Sequence, residues 1–79
     1  VTLVGKDLQF VGVDGPARVR IRIQDAALRR VAESAKDLTP QQKFKVYDRN
    51  REWFQEIARH LYERAANRPK TLKITLTDL

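Results

Sequence analysis

From Arg18 to Gln24 polar and apolar residues alternate without a break, with Val19, Ile21 and Ile23 on one side and Arg18, Arg20, Arg22 and Gln24 on the other. Period-two alternation marks a strand with one face buried and one face wet. Three successive outward arginines cannot be covered by an apolar layer without stranding charge away from water. Any sheet built on this segment therefore keeps one face open, and its helices lie on the other. A parallel sheet covered on both sides is excluded, and a two-layer arrangement follows.

The flanking segments supply partners for that strand. Leu8 and Phe10 alternate with Asp7, Gln9 and Val11, and Val13-Asp14-Gly15-Pro16 carries turn chemistry. Pro16 has no N–H to close a two-residue Asp14-Gly15 loop, so a four-residue loop with Gly12 opposite Ala17 is predicted. That register sets Phe10 against Val19 and Leu8 against Ile21 inside, and Asp7 against Arg22 and Gln9 against Arg20 outside. Asp25 is predicted to cap a short helix with Leu28, Val31, Ala32 and Ala35 on one face, closed by Leu38. Thr39-Pro40-Gln41-Gln42 reads as a capping box with Pro at the first helical position. The helix it starts runs to about residue 66. Its wheel gathers Val46, Tyr47, Trp53, Phe54, Ile57 and Leu61 in one arc, with Lys45, Arg49, Glu52, Glu56, Arg59, His60 and Glu63 opposite. Beyond Asn67 and Arg68-Pro69, Leu72, Ile74 and Leu76 alternate with Thr71, Lys73, Thr75 and Thr77 in a last strand. The expectation is a single α+β domain over residues 1–79, in two layers. Its three-stranded antiparallel sheet carries two helices on one face, in the order β-β-α-α-β. Trp53, Phe54, Ile57 and Leu61 are predicted to pack on Leu8, Phe10, Val19, Ile21, Ile74 and Leu76.

With that order on the page, several short motifs become familiar. The hairpin strand Val-Arg-Ile-Arg-Ile, the helix start Asp25-Ala26-Ala27-Leu28, the run Tyr47-Asp48-Arg49-Asn50-Arg51 leading to Ile57-Ala58, and the close Ile74-Thr75-Leu76-Thr77-Asp78-Leu79 carry the likeness. Over residues 8–79 the chain resembles a family of small bacterial proteins, domain of unknown function 1488. Members of that family usually place a Cys in the second hairpin strand, around Arg20 to Arg22 here, and this chain lacks it, so no role of that thiol carries over. The resemblance implies a bacterial, cytoplasmic α+β protein and brings no activity with it.

Composition narrows the chemistry. A chain of 79 residues makes a thin core with no room for a large cofactor. There is no Cys and only one His, which removes disulfide frameworks, zinc clusters and thiol nucleophiles; neither a metal nor a cofactor is expected. No apolar run approaches the roughly 20 residues of a membrane span, and no signal peptide opens the sequence, so the cytosol is expected. A chain that begins at Val1 and contains no Met is read as processed or trimmed. Sixteen Lys and Arg against ten Asp and Glu leave a net charge of +6, which favours an acidic partner.

Few residues could carry function. His60 lies one turn from Glu56 on the polar arc, an arrangement of solvated i, i+4 pairs rather than of a proton shuttle. Glu52, Glu56 and Glu63 are threaded with Arg49 and Arg59, unlike a carboxylate cage for a metal. Asn50, polar on the apolar arc, is expected to bond a strand end or the inter-helix loop, and Arg51 to pair with Asp48 or a strand-end carboxylate; both are read as scaffolding. Arg18, Arg20 and Arg22, joined by Lys73, are the candidate binding residues, since a strand presents them about 6.6–7 Å apart on the uncovered face. Solubilising that face is their plainer use. The expected function is that of a non-enzymatic binding or regulatory module acting by protein association, a homodimer being one form. The alternative is weak, sequence-independent nucleic-acid binding by the Arg row.

Overall fold

The computed structural model describes residues 1–79. It places four strands in one mixed sheet, ordered β1 (Thr2–Val4), β2 (Asp7–Asp14), β3 (Ala17–Ile23) and β4 (Thr71–Ile74). Helices α1 (Asp25–Val31), α2 (Pro40–Arg49) and α3 (Arg51–Arg64) connect β3 to β4, and a 3₁₀ turn over Leu76–Asp78 ends the chain. The α+β class and the single covered face follow the alternation in β3. Leu8, Phe10, Val19, Ile21, Ile23 and Ile74 from the sheet join Ala27, Leu28, Tyr47, Phe54 and Ala58 from the helices in one core.

The sheet departs from expectation in three ways. It gains β1, antiparallel to β2, through a two-residue Gly5-Lys6 connection in which Gly5 takes a φ of +61°. The β2–β3 hairpin closes on Gly15-Pro16, with Asp14 opposite Ala17, so Phe10 faces Ile21 and Leu8 faces Ile23. This register is displaced by two residues from the predicted one. Because the displacement is even, every side chain keeps its predicted face. Gly15 at a φ of +60° suits the first position of a tight hairpin turn, and the closing position falls to Ala17, which has an N–H. The last strand pairs with β3 in parallel, Arg22 beside Lys73 and Ile23 beside Ile74, rather than antiparallel. It also stops early. Thr75 and Asp78 form a capping box around the 3₁₀ turn, which leaves Leu76 46% exposed instead of in the core.

The helices differ where local polar groups compete with the predicted pattern. Gln24, not Asp25, flanks the start of α1; Asp25 is its first residue, and its N–H donates to Asp7 Oδ1 at 3.0 Å. The helix ends at Val31. Glu33 adopts a left-handed φ of 55° while its N–H bonds the Arg30 carbonyl and the Ser34 N–H bonds the Arg29 carbonyl, which satisfies two terminal acceptors. Ala35 and Leu38 thus lie outside it. The capping box that opens α2 forms as predicted, with Thr39 Oγ1 accepting from the Gln42 N–H and Gln42 Oε1 from the Thr39 N–H. The long helix is broken at Asn50, whose backbone (φ −119°, ψ 21°) leaves the helical region. The inward phase nevertheless carries across the break, with Tyr47 before it and Phe54 and Ala58 after it all buried, and Trp53 stands at the edge of that arc. Phe54 is fully buried while Trp53 is 44% exposed, and Ile57 and Leu61 are half-buried.

Two interactions bind the layers. The Phe10 and Tyr47 rings lie 5.1 Å apart, and Tyr47 stacks on Phe54 at 6.1 Å. Beside them Lys43, only 7% exposed, donates from Nζ to the Lys6 carbonyl at 2.6 Å and stands 3.1 Å from Asp25 Oδ1. Arg29 Nε lies 3.3 Å from Asp25 Oδ2. Both contacts to Asp25 are charge pairs whose angles fall short of hydrogen bonds. Lys43→Ala is expected to cost about 2–4 kcal/mol, because it leaves the Lys6 carbonyl unbonded and a mostly buried Asp25 with Arg29 as its one cation. Phe54→Ala should cost about 3–5 kcal/mol and Trp53→Ala clearly less. Chemical denaturation of the three variants checks all of this, and equal losses at positions 53 and 54 would contradict the inward placement of Phe54 and the exposure of Trp53.

Candidate functional site

The outward positions of β2, β3 and β4 form a flat polar face with a small apolar island. On β3, Arg18, Arg20 and Arg22 project in a row with the two-residue spacing of a strand, about 6.6–7 Å. Register sets Val13 beside Arg18, Val11 beside Arg20 and Gln9 beside Arg22, with Lys73 on the other side of Arg22. Arg18, Arg20 and Lys73 are exposed and Arg22 is half-buried. None of the four enters an ion pair within 4 Å; of the sixteen Lys and Arg only Arg29, Lys43 and Arg59 do. Asp7, an outward residue by alternation, has turned to the N-terminus of α1. The structure thus brings together all four predicted binding residues. What the sequence reading passed over is the pair of valines, 52% exposed at Val11 and 74% at Val13, which lie in the outward phase of the alternation.

The remaining candidates sit elsewhere. Asn50 donates from its side-chain amide to the Val46 carbonyl at 2.9 Å, one turn back, and not to a strand or loop. Arg51 is exposed and pairs with no carboxylate within 4 Å, contrary to expectation. His60 Nε2 is 3.4 Å from Glu56 Oε1, but both side chains are at least half exposed and Glu56 also binds Arg59, whose guanidinium it holds above the ordinary arginine range through that hydrogen bond. Lys43, the one buried charge, was not marked by its sequence neighbours: a lysine at this phase of a helix reads as surface until its carbonyl and carboxylate partners are known.

On the covered side a cleft of about 560 Å³ opens between the β2–β3 hairpin and α3, with Phe10, Gly12, Val19 and Ala58 among its walls. Its end is latched by the Tyr62 O–H, which donates to Asp14 Oδ2 at 2.7 Å. Apart from that latch its polar walls are Gln55, Arg59 and Glu63, an inventory without a nucleophile and base in hydrogen-bond reach. No group of three or more His, Asp or Glu side chains is placed to hold a metal ion, and no helix is long and apolar enough to cross a membrane. Compared with family models, curated proteins and solved structures, the chain matches none.

The latch has a spectroscopic signature. The Tyr62 phenol is raised above its ordinary range, first by its hydrogen bond to Asp14, then by burial and by the Asp14 charge, with Arg68 opposing. Asp14→Ala should return Tyr62 to the ordinary tyrosine titration, read by phenolate absorbance. An unchanged titration would mean that the hairpin tip is not tied to α3.

Proposed function

We propose that the chain is a non-enzymatic binding module acting by protein association through the open face of its sheet. The observation that carries this reading is the composition of that face, where Val11 and Val13 stand exposed beside a row of arginines that pair with no carboxylate within 4 Å. Protein interfaces favour such a mixture, with arginine enriched and apolar area at the centre. Its charge selects the partner. A second copy stacked face to face would oppose cation to cation, so a homodimer is better served by the free edges of β1 and β4, and the face itself suits an acidic protein. A cytoplasmic setting and kinship with the domain of unknown function 1488 family belong to the same proposal, the latter carried by the motifs quoted above.

One observation favours a second reading. Four unpaired cations in a strand-spaced array also suit a phosphate backbone, with arginine forks bidentate to its oxygens. The face holds no aromatic residue to stack on a base, so such binding would be weak and indifferent to sequence.

Amide chemical-shift mapping tests the face itself. Titrated with poly-L-glutamate at about 50 mM salt, the protein should show saturable shifts confined to β2, β3 and β4, abolished by joint replacement of Arg18, Arg20 and Arg22 with Ser. Shifts centred on the polar arc of α3 would overturn the reading. Duplex DNA in the same experiment weighs the second one, which demands a slope of log K on log salt of about −3 to −4 from four phosphate contacts.

A further inference from the structure

We infer that the partner engages this face with an acidic amphipathic helix laid lengthwise along β2 and β3. The inference rests on the open-face reading above and names the shape and pattern of what binds there. Three features of the face point to it.

The first is width. β1 pairs only with Asp7–Gln9 of β2, and β4 only with Arg20–Ile23 of β3, so from Val11 to Val19 the hairpin runs as a ribbon of two strands. At that tip, which carries Val13 and Arg18, two strands spaced about 4.8 Å apart offer a strip roughly 10 Å across with their side chains, the width of one helix of about 10–12 Å, and at Arg20 and Arg22 the row continues onto a sheet widened by β4. The second is pattern. The strip is divided lengthwise, with valines on β2 and arginines on β3. A helix with an apolar stripe bordered on one side by carboxylates matches both rows at once. A nucleic-acid backbone matches only one, since its uniform charge leaves Val11 and Val13 without a counterpart. The third is spacing. Carboxylates at i, i+4 and i+8 of a helix lie about 6 Å apart, against about 6.6–7 Å for Arg18, Arg20 and Arg22. Over the whole row the mismatch is about 1–2 Å, which arginine stems absorb.

A helical peptide of about 18 residues, held by a side-chain staple because short helices are marginal in water, tests this directly. It carries Leu along one stripe and Glu at i, i+4 and i+8 beside it; a control of identical composition has its Glu positions moved to the far side. By isothermal titration and shift mapping the first peptide should bind to β2 and β3 about 10-fold more tightly than the control. Replacing Arg18, Arg20 and Arg22 with Ser should weaken it about 10-fold, and Val11→Ser with Val13→Ser by a similar factor. The peptide comparison uses the unaltered protein, so it stands even if a variant folds poorly. Equal affinity for the two peptides, or binding that needs the arginines and ignores the valines, would overturn the helix. If poly-L-glutamate or DNA still mapped to the face, the open-face reading would survive that loss; if nothing mapped there, both would fall.

Discussion

Everything in this fold depends on the aromatic contact in which Tyr47 lies between Phe10 and Phe54. Phe10 belongs to the sheet, Tyr47 to α2 and Phe54 to α3, so one cluster joins both layers and both helices. Tyr47 and Phe54 are seven residues apart, and an unbroken helix would place them on one line. At Asn50 the backbone leaves the helical region, and the rings of α2 and α3 both remain in the core. The amide of Asn50 satisfies the Val46 carbonyl that the break would otherwise free.

The charged residues beside that cluster do a different kind of work. Lys43 of α2 grips the Gly5-Lys6 turn through the Lys6 carbonyl and α1 through Asp25, while Asp7 meets the first N–H of α1. Desolvating a lysine and a carboxylate consumes most of what their attraction returns, so the gain lies in geometry more than in stability. These contacts fix where α1 starts and hold β1 to the rest. They also turn Asp7 away from the outer face, where Gln9 is the strand partner of Arg22.

How much of this was legible in the sequence depended on the range of the forces involved. Faces were legible: alternation in β3 and the capping box at Thr39 are local, and both the open Arg row and the start of α2 stand where local rules place them. Register was not, since Gly15-Pro16 and Asp14-Gly15 loops obey the same parity and differ only in which N–H closes the turn. The direction of β4 was hidden as well, because its apolar period is the same parallel or antiparallel and only the path of three helices decides it. Trp53 was misplaced because it stands at the edge of the apolar arc, where periodicity alone does not separate a buried ring from an exposed one. At the candidate site the four cations were legible, while the exposed valines beside them emerged only when the cross-strand partners were known.

The parallel pairing of β3 with β4 also orders events during synthesis. Its partners lie about fifty residues apart in the chain, Arg20 with Thr71 and Ile23 with Ile74, so the sheet stays incomplete until the final strand leaves the ribosome. Until then the hairpin offers the bare edge of β3 to any extended chain nearby. That edge alternates isoleucine and valine with arginine, and every cation on it repels a second copy of itself. The same arginines that face outward in the finished molecule thus guard a nascent one.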